Sequence, residues 1–489
     1  MEAVAEETFS LGDVNQNGLI DAVDATVVLV EYASLSTGGM TSLDVSQKNL
    51  ADVNFDGITD AVDATRILQY YAYVSTGGTD TSEVFFGAPE NSSLKIINLN
   101  GALSYNASNN NYSKYATTVK SYIYENSQNG ITRIEYTNDS VIVEEYAEDN
   151  SLISSITLDK PLSVFGGFYS GNDANYLVFG QNNLEESDST EIMRVVKYTK
   201  DWQLIDYASA YGCNTIRLFE AGSLRMTETN GKLYIHTCHQ MYTTEDDGKN
   251  HQANMTFVID ESEMEVIDSF YDILNEFYGY ASHSFNQFIA TDGDNIYRCD
   301  HGDAYPRGIM ISRIAESDTL YSIITYKNVF EIAGTIGNNA TGVSVGGMEL
   351  SENNCLVVGN SIDMNGDGNT SGQRNIFISV TDKQLENTSF KYLTSYASDD
   401  GIIPRTPQIV KVSDGMFLVM WEEYTDSVCV KALTVDGDGN ITQPVVTLNN
   451  ARLSDCQPVV TSDGLVKWYV SDNSSVKLYT LQPDNLAGT

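Results

Sequence analysis

The chain has 489 residues and a formal net charge of −40, from 27 Lys and Arg against 67 Asp and Glu. That excess disfavours nucleic acid and anionic membranes as partners and discourages a polyanionic substrate. No apolar run reaches the length of about eighteen residues that a membrane-spanning helix needs, and the six cysteines (Cys213, Cys238, Cys299, Cys355, Cys429, Cys456) show no paired metal-ligand spacing.

The opening Met1-Glu-Ala-Val-Ala-Glu-Glu has neither the basic start nor the apolar stretch of a secretory signal. A duplicated twelve-residue segment comes next. Asp13-Val-Asn15-Gln-Asn17-Gly-Leu19-Ile-Asp21-Ala-Val-Asp24 returns, 39 residues on, as Asp52-Val-Asn54-Phe-Asp56-Gly-Ile58-Thr-Asp60-Ala-Val-Asp63. Oxygen-bearing side chains occupy positions 1, 3, 5, 9 and 12, with Gly at 6. This is the spacing of an EF-hand calcium loop, in which a hard cation gathers six to eight oxygens from one sharply reversed turn.

Each loop leads into an apolar pattern of three- and four-residue spacing, Ala25 to Ala33 and Ala64 to Ala72, which predicts a helix that stops near a Ser-Thr-Gly-Gly run. An ordinary EF-hand also has a helix before its loop, and here Phe9-Ser-Leu-Gly12 leaves no room for one. The loop-then-helix duplication opening on Gly-Asp-Val-Asn resembles the type I dockerin, the module that attaches cellulosome components to cohesins on a scaffold. The resemblance covers residues 9–78 and implies a small all-α module of two loop-helix motifs that binds two calcium ions.

Position by position, the resemblance makes Asp13, Asn15, Asn17, Asp21 and Asp24 ligands together with the carbonyl of Leu19. The second set is Asp52, Asn54, Asp56, Asp60 and Asp63 with the carbonyl of Ile58. Asn17 stands where the second loop has Asp56, so the first site carries one charge fewer and is expected to bind more weakly. Metal binding and folding are expected to be coupled in so small a module. The partner-reading positions of a dockerin fall on Ala22-Val23 and Ala61-Val62. They read either as buried helix starts or as a small apolar surface offered to a cohesin, and their duplication would allow two docking orientations. A dockerin works outside the cell, so a secreted or cell-surface location, with a signal removed, is expected.

Residues 79–92 read as a linker. From residue 93 to 489 the chain shows short Tyr/Val/Ile-rich runs separated by Asn, Asp, Gly and Ser, the punctuation of an all-β domain; only Phe270 to Phe277 looks helical. A loose repeat of about 50–65 residues, with turn-plus-strand segments beginning at Asn230, Asp294, Asn354, Asp414 and Asp463, predicts a β-propeller of about seven blades. A pair of β-sandwiches is the alternative. The last unit has three clear strands, and Leu94 to Leu99 is a spare strand able to complete it.

All five histidines fall between positions 236 and 301, in polar segments. His236, His239, His283, Asp300, His301 and Asp303 are the candidate ligand site, against the plainer reading of loop histidines that satisfy local hydrogen bonds. No paired-carboxylate, nucleophile-elbow or phosphate-loop signature identifies a reaction. Asp363 to Ser371 imitates half a calcium loop but has Arg374 at position 12. The sequence therefore points to a calcium-dependent scaffold component whose large domain binds a glycan or a protein in polysaccharide breakdown. The alternative is a carbohydrate-active enzyme, glycoside hydrolase or lyase.

Overall fold

The computed structural model describes residues 9–488 apart from 38, 40–41, 44, 55–58, 87–92, 100, 104–117, 363–371 and 472–474. Two compact units result: residues 1–95 with 447–450 and 484–489, and residues 96–446 with 451–483.

The first unit contains α1 (Ala22–Ser36), α2 (Val45–Ala51), α3 (Ala61–Ser75) and α4 (Ser82–Phe86). The two long helices start at Asp21 and Asp60, each in a capping box: the aspartate accepts from the backbone of the first turn, and Asp24 or Asp63 bonds back to the cap nitrogen. Their inward faces meet around Val14, Ala25, Val28, Val53, Ala64, Ile67 and Phe86. Among the described residues no helix is long and apolar enough to cross a membrane.

The second unit is an all-β array of antiparallel sheets in a β-propeller arrangement. Blade I holds Ser121–Glu125, Ile131–Tyr136, Ser140–Tyr146 and Leu152–Asp159, and blade II holds Val164–Ser170, Asn175–Gly180, Glu191–Tyr198 and Leu204–Tyr211. A nine-stranded sheet follows, from Thr215–Leu218 to Thr325–Glu331. Blade III begins at Val343–Leu350, and blade IV at Ile403–Ser413. Blade V joins Val459–Val460, Val466–Ser471 and Val476–Leu481 to the early strand Leu94–Asn98.

The early strand thus completes the last blade, as the sequence suggested. The blade number differs from the expectation of about seven: five four-stranded blades stand alone. The remaining strands merge because Lys232–Thr243 and Asn250–Asp260 run unusually long. Beyond the usual blade width, Ala253 pairs with Ser282 and Thr215–Leu218 pairs with the far end of Lys232–Thr243. Phe270 to Phe277 is not helical either, since it closes the strand Glu265–Phe270 and leads into a single 3-10 turn at Glu276–Tyr278.

Within the span of the nine-stranded sheet Ser223 N donates to Gln287 Oε1 (2.9 Å). Neighbouring sheets are joined near the bulges of their first strands, where Asn286 Nδ2 donates to the Val345 carbonyl (2.6 Å) and Gln408 Nε2 to the Ser454 carbonyl (2.8 Å). At Gly346 a Cβ would lie 1.7 Å from the Pro407 carbonyl oxygen, so the approach there requires glycine. Lys120 N donates to Asp455 Oδ2 (2.8 Å) and Tyr469 Oη to the Ile134 carbonyl (2.8 Å), which joins blade V to blade I.

Candidate functional site

In the first loop, backbone N–H groups hold the side-chain oxygens in place. Asp13 accepts from Asn17 N (3.0 Å) and Gly18 N (2.8 Å), Asn15 Oδ1 from Asn17 N (3.1 Å), and Asn17 Oδ1 from Leu19 N (2.8 Å). Asp24 Oδ1 accepts from Asn15 N (3.0 Å), its Oδ2 from Asp21 N (2.9 Å), and Asp21 Oδ1 from Val23 N (2.6 Å). The reversal falls at Gly18, with φ +85°.

Asp13 and Asp24 are buried, at 1 % and 0 % exposure, and among the described residues neither forms an ion pair. Burial raises the Asp24 carboxyl above its ordinary range, and the charges of Asp13 and Asp21 push the same way. Buried oxygens of one sign call for a cation. Among the described residues, no three His, Cys, Asp or Glu side chains form a metal cage alone. The loop also carries the amide oxygens of Asn15 and Asn17, so the oxygens present fit the mixed set that calcium takes.

The second loop repeats the frame. Asp63 Oδ1 accepts from Val53 N (3.0 Å) and Asn54 N (3.2 Å), its Oδ2 from Asp60 N (2.9 Å), and Asp60 Oδ1 from Val62 N (2.6 Å). Asp56 and Ile58 lie outside the described residues, as does the calcium-loop imitation at 363–371. At both helix starts the apolar pair faces outward: Ala22 and Ala61 are exposed, Val23 is 55 % exposed and Val62 51 %. The reading of these pairs as buried helix starts is thereby set aside.

The family described as the dockerin type I domain matches residues 11–71. This segment is a type I dockerin. Type I dockerins are calcium-binding modules and bind cohesins, so the N-terminal module supports cellulosome-type attachment. No curated protein matches the chain. Among solved structures, the chain is similar to the Dos1 propeller (10 % identity, 74 % of this chain and 78 % of that one, TM-score 0.41). A putative 6-phosphogluconolactonase from Bacteroides fragilis is also similar (12 %, 70 % and 86 %, 0.39), as is the AfRom2 CNH domain (7 %, 79 % and 98 %, 0.40). The propeller arrangement rests on the chain's own strand pairing.

In the propeller, the strand Asn295–Tyr305 decides where the candidate residues go, because alternate side chains leave a strand on opposite faces. Asp300 shares a face with Ile296, which packs with Tyr234 and Val258. There it accepts from His236 Nε2 (3.2 Å to each oxygen), Ser284 Oγ (2.7 Å) and Asn254 Nδ2 (3.0 Å). Burial raises the Asp300 carboxyl, but His236, Ser284 and Arg298 outweigh it and hold the group below the usual range.

His301 and Asp303 share the other face with Tyr297 and Cys299, which pack with Val343 and Val345 of blade III. Asp303 Oδ1 lies 2.9 Å from Nδ1 of the half-exposed His283. Neither ring nitrogen of His301 has a partner among the described residues, and burial pushes that imidazole down to about 4. His239 bonds elsewhere, to Thr215 Oγ1 (2.7 Å), and burial lowers it to about 3.

The structure thus joins His236 with Asp300 and His283 with Asp303 on opposite faces of one sheet, and places His239 apart from both. Five of the six side chains are buried. Asn254 and Ser284 complete the Asp300 network. They stand in the polar segments around His251 and His283, but nothing in their spacing marks them out.

Proposed function

We propose that the chain is an extracellular cellulosome-type component whose dockerin binds two calcium ions and docks a cohesin. The propeller-like domain, residues 93–489, is the cargo and binds a glycan or a protein during polysaccharide breakdown. In the first loop Asp13, Asn15, Asn17, Asp21 and Asp24 hold one ion with the Leu19 carbonyl. The second ion takes Asp52, Asn54, Asp56, Asp60, Asp63 and the Ile58 carbonyl. Calcium neutralises the converging carboxylates, and the chain's own residues do the rest: the loop aspartates also cap α1 and α3, so an ordered cage fixes the helix starts that face a partner.

The observation that carries this reading is the outward placement of Val23 and Val62, at equivalent points of the duplication and between the last two side-chain ligands of each cage. Leu29 and Leu68, Tyr32 and Tyr71, and Leu35 and Val74 extend the equivalence along both helices, all exposed. An apolar surface presented twice suits a partner that accepts either copy.

Titration of the full chain against a panel of type I cohesins, in calcium and in EGTA, tests the proposal. Val23→Asp or Val62→Asp alone should leave binding within a few-fold, whereas the double variant should lose at least about 100-fold, each buried charge costing on the order of 2–3 kcal/mol. Binding that survives EGTA, or a double variant that binds like the wild type, would overturn it.

A further inference from the structure

The Asp300 network holds up something more exposed than itself. Asn254, fixed by Asp300, donates from Nδ2 to the Gly279 carbonyl (2.8 Å) and accepts from Ala281 N (3.0 Å). Arg298 beneath it donates to the Tyr278 carbonyl (3.3 Å). Ile324 N bonds the Phe277 carbonyl (2.8 Å), and Asn275 caps the turn by accepting from Phe277 N (3.1 Å). A single turn with so many anchors is a rigid mount, and its exposed residue is the aromatic Phe277.

Phe277 is 51 % exposed and meets the Tyr326 ring edge-on, with centroids 5.7 Å apart. Tyr305 is 47 % exposed. Tyr326 Oη lies 3.4 Å from Glu276 Oε1, and the nearby Tyr305 hydroxyl holds the Glu276 carboxyl below its ordinary range. The exposed Phe277 and Tyr305 and the half-buried Tyr326 therefore flank an ionised carboxylate that takes a phenol hydroxyl on Oε1.

We infer that Phe277, Tyr305, Tyr326 and Glu276 form a binding site for a neutral sugar ring. The inference rests on the reading of the propeller as a glycan-binding cargo and assigns that reading a place. A pyranose offers an apolar C–H face and a rim of hydroxyl groups. The Phe277 face takes the first without desolvating any polar atom. Glu276 accepts from ring hydroxyls, and the tyrosine hydroxyls both donate and accept. A uronate would meet the Glu276 charge, so the site selects uncharged polysaccharide. Because the mount is locked from beneath by buried bonds, little ordering is needed on binding.

The experiment is affinity electrophoresis of the full chain through gels containing soluble xylan, β-glucan, galactomannan or polygalacturonate, with Phe277→Ala, Tyr305→Ala and Glu276→Gln variants alongside. Since Phe277 and Tyr305 lie at the surface, their truncation should leave the melting temperature unchanged. At least one neutral polysaccharide should retard the wild type, polygalacturonate should not, and either aromatic truncation should weaken retardation at least about tenfold. If a neutral polysaccharide retards wild type and all three variants equally, this site is refuted while the glycan reading stands. If none retards the wild type, the glycan reading fails with it. Preferential retardation by polygalacturonate overturns the neutral-sugar assignment.

Discussion

Asp300 shows what a single buried carboxylate does in the propeller. Its four contacts come from three other strands, Lys232–Thr243, Asn250–Asp260 and Ser282–Thr291. Asp300→Ala leaves the His236 ring, the Ser284 hydroxyl and the Asn254 amide buried and short of a partner, which should cost on the order of 3 kcal/mol. The urea midpoint of the propeller transition reads this out. The sign of the pH dependence follows from the lowered carboxyl. A group with a depressed folded value stabilises above the unfolded value of about 4 and loses that contribution as pH falls through its folded value. The gap between wild type and variant should therefore stay constant from about pH 8 to 5 and close in more acidic solution; a gap that grew with acid would show Asp300 to be protonated at neutrality. The residue types that build this network were visible in the polar segments, but their partners were not. Whether His301 or Asp300 faces His236 is set by strand phase, which a single residue of bulge reverses.

At the scale of elements, α1 and α3 were legible because their apolar spacing persists over several turns and their caps coincide with the loop aspartates. The structure extends both, to Ala22–Ser36 and Ala61–Ser75. The short α4 carries no period to detect, yet it places Phe86 in the first unit's core at 5 % exposure. There its ring lies 5.3 Å from that of Tyr70 and 5.6 Å from that of Phe85, while Arg66 Nη1 donates to its carbonyl (3.3 Å). Phe86→Ala removes a buried aromatic from a small core and should destabilise the dockerin by about 3–4 kcal/mol, the usual cost of such a truncation. A thermal melt of the full chain followed at 222 nm, where the helical unit dominates, should show its transition move down by several degrees with the β transition unmoved. An unchanged helical transition would mean that α4 is not part of the module's core. The helical look of Phe270 to Phe277 misleads for a related reason: the segment closes a strand and ends in the 3-10 turn Glu276–Tyr278, which hydrogen bonds from Asn254 and Arg298, distant in sequence, help to fix.

At the scale of the whole molecule, the all-β class and the completion of the last blade were readable from short strands, turn residues and a leftover strand. The division into separate blades was not, since the merging of nine strands depends on strand ends that pair beyond the repeat. Closure between blade V and blade I includes one buried titratable group, Asp455, which receives the Lys120 N–H on Oδ2. Burial pushes its carboxyl up to about 7, with the Lys120 hydrogen bond opposing. A raised folded value means that the folded state binds the proton more tightly than the unfolded chain. The contribution is therefore complete below about pH 4 and is lost as pH rises through about 7. Asp455→Asn keeps an acceptor for Lys120 N but cannot ionise. Calorimetry between pH 4.5 and 8 should show the wild-type propeller transition falling relative to the variant as pH rises to about 7, with the divergence levelling off above neutrality. Parallel curves would mean that Asp455 is ionised throughout and that the closure is insensitive to pH. Divergence would place the alkaline weak point of the ring at the one junction where the two ends of the sheet array meet.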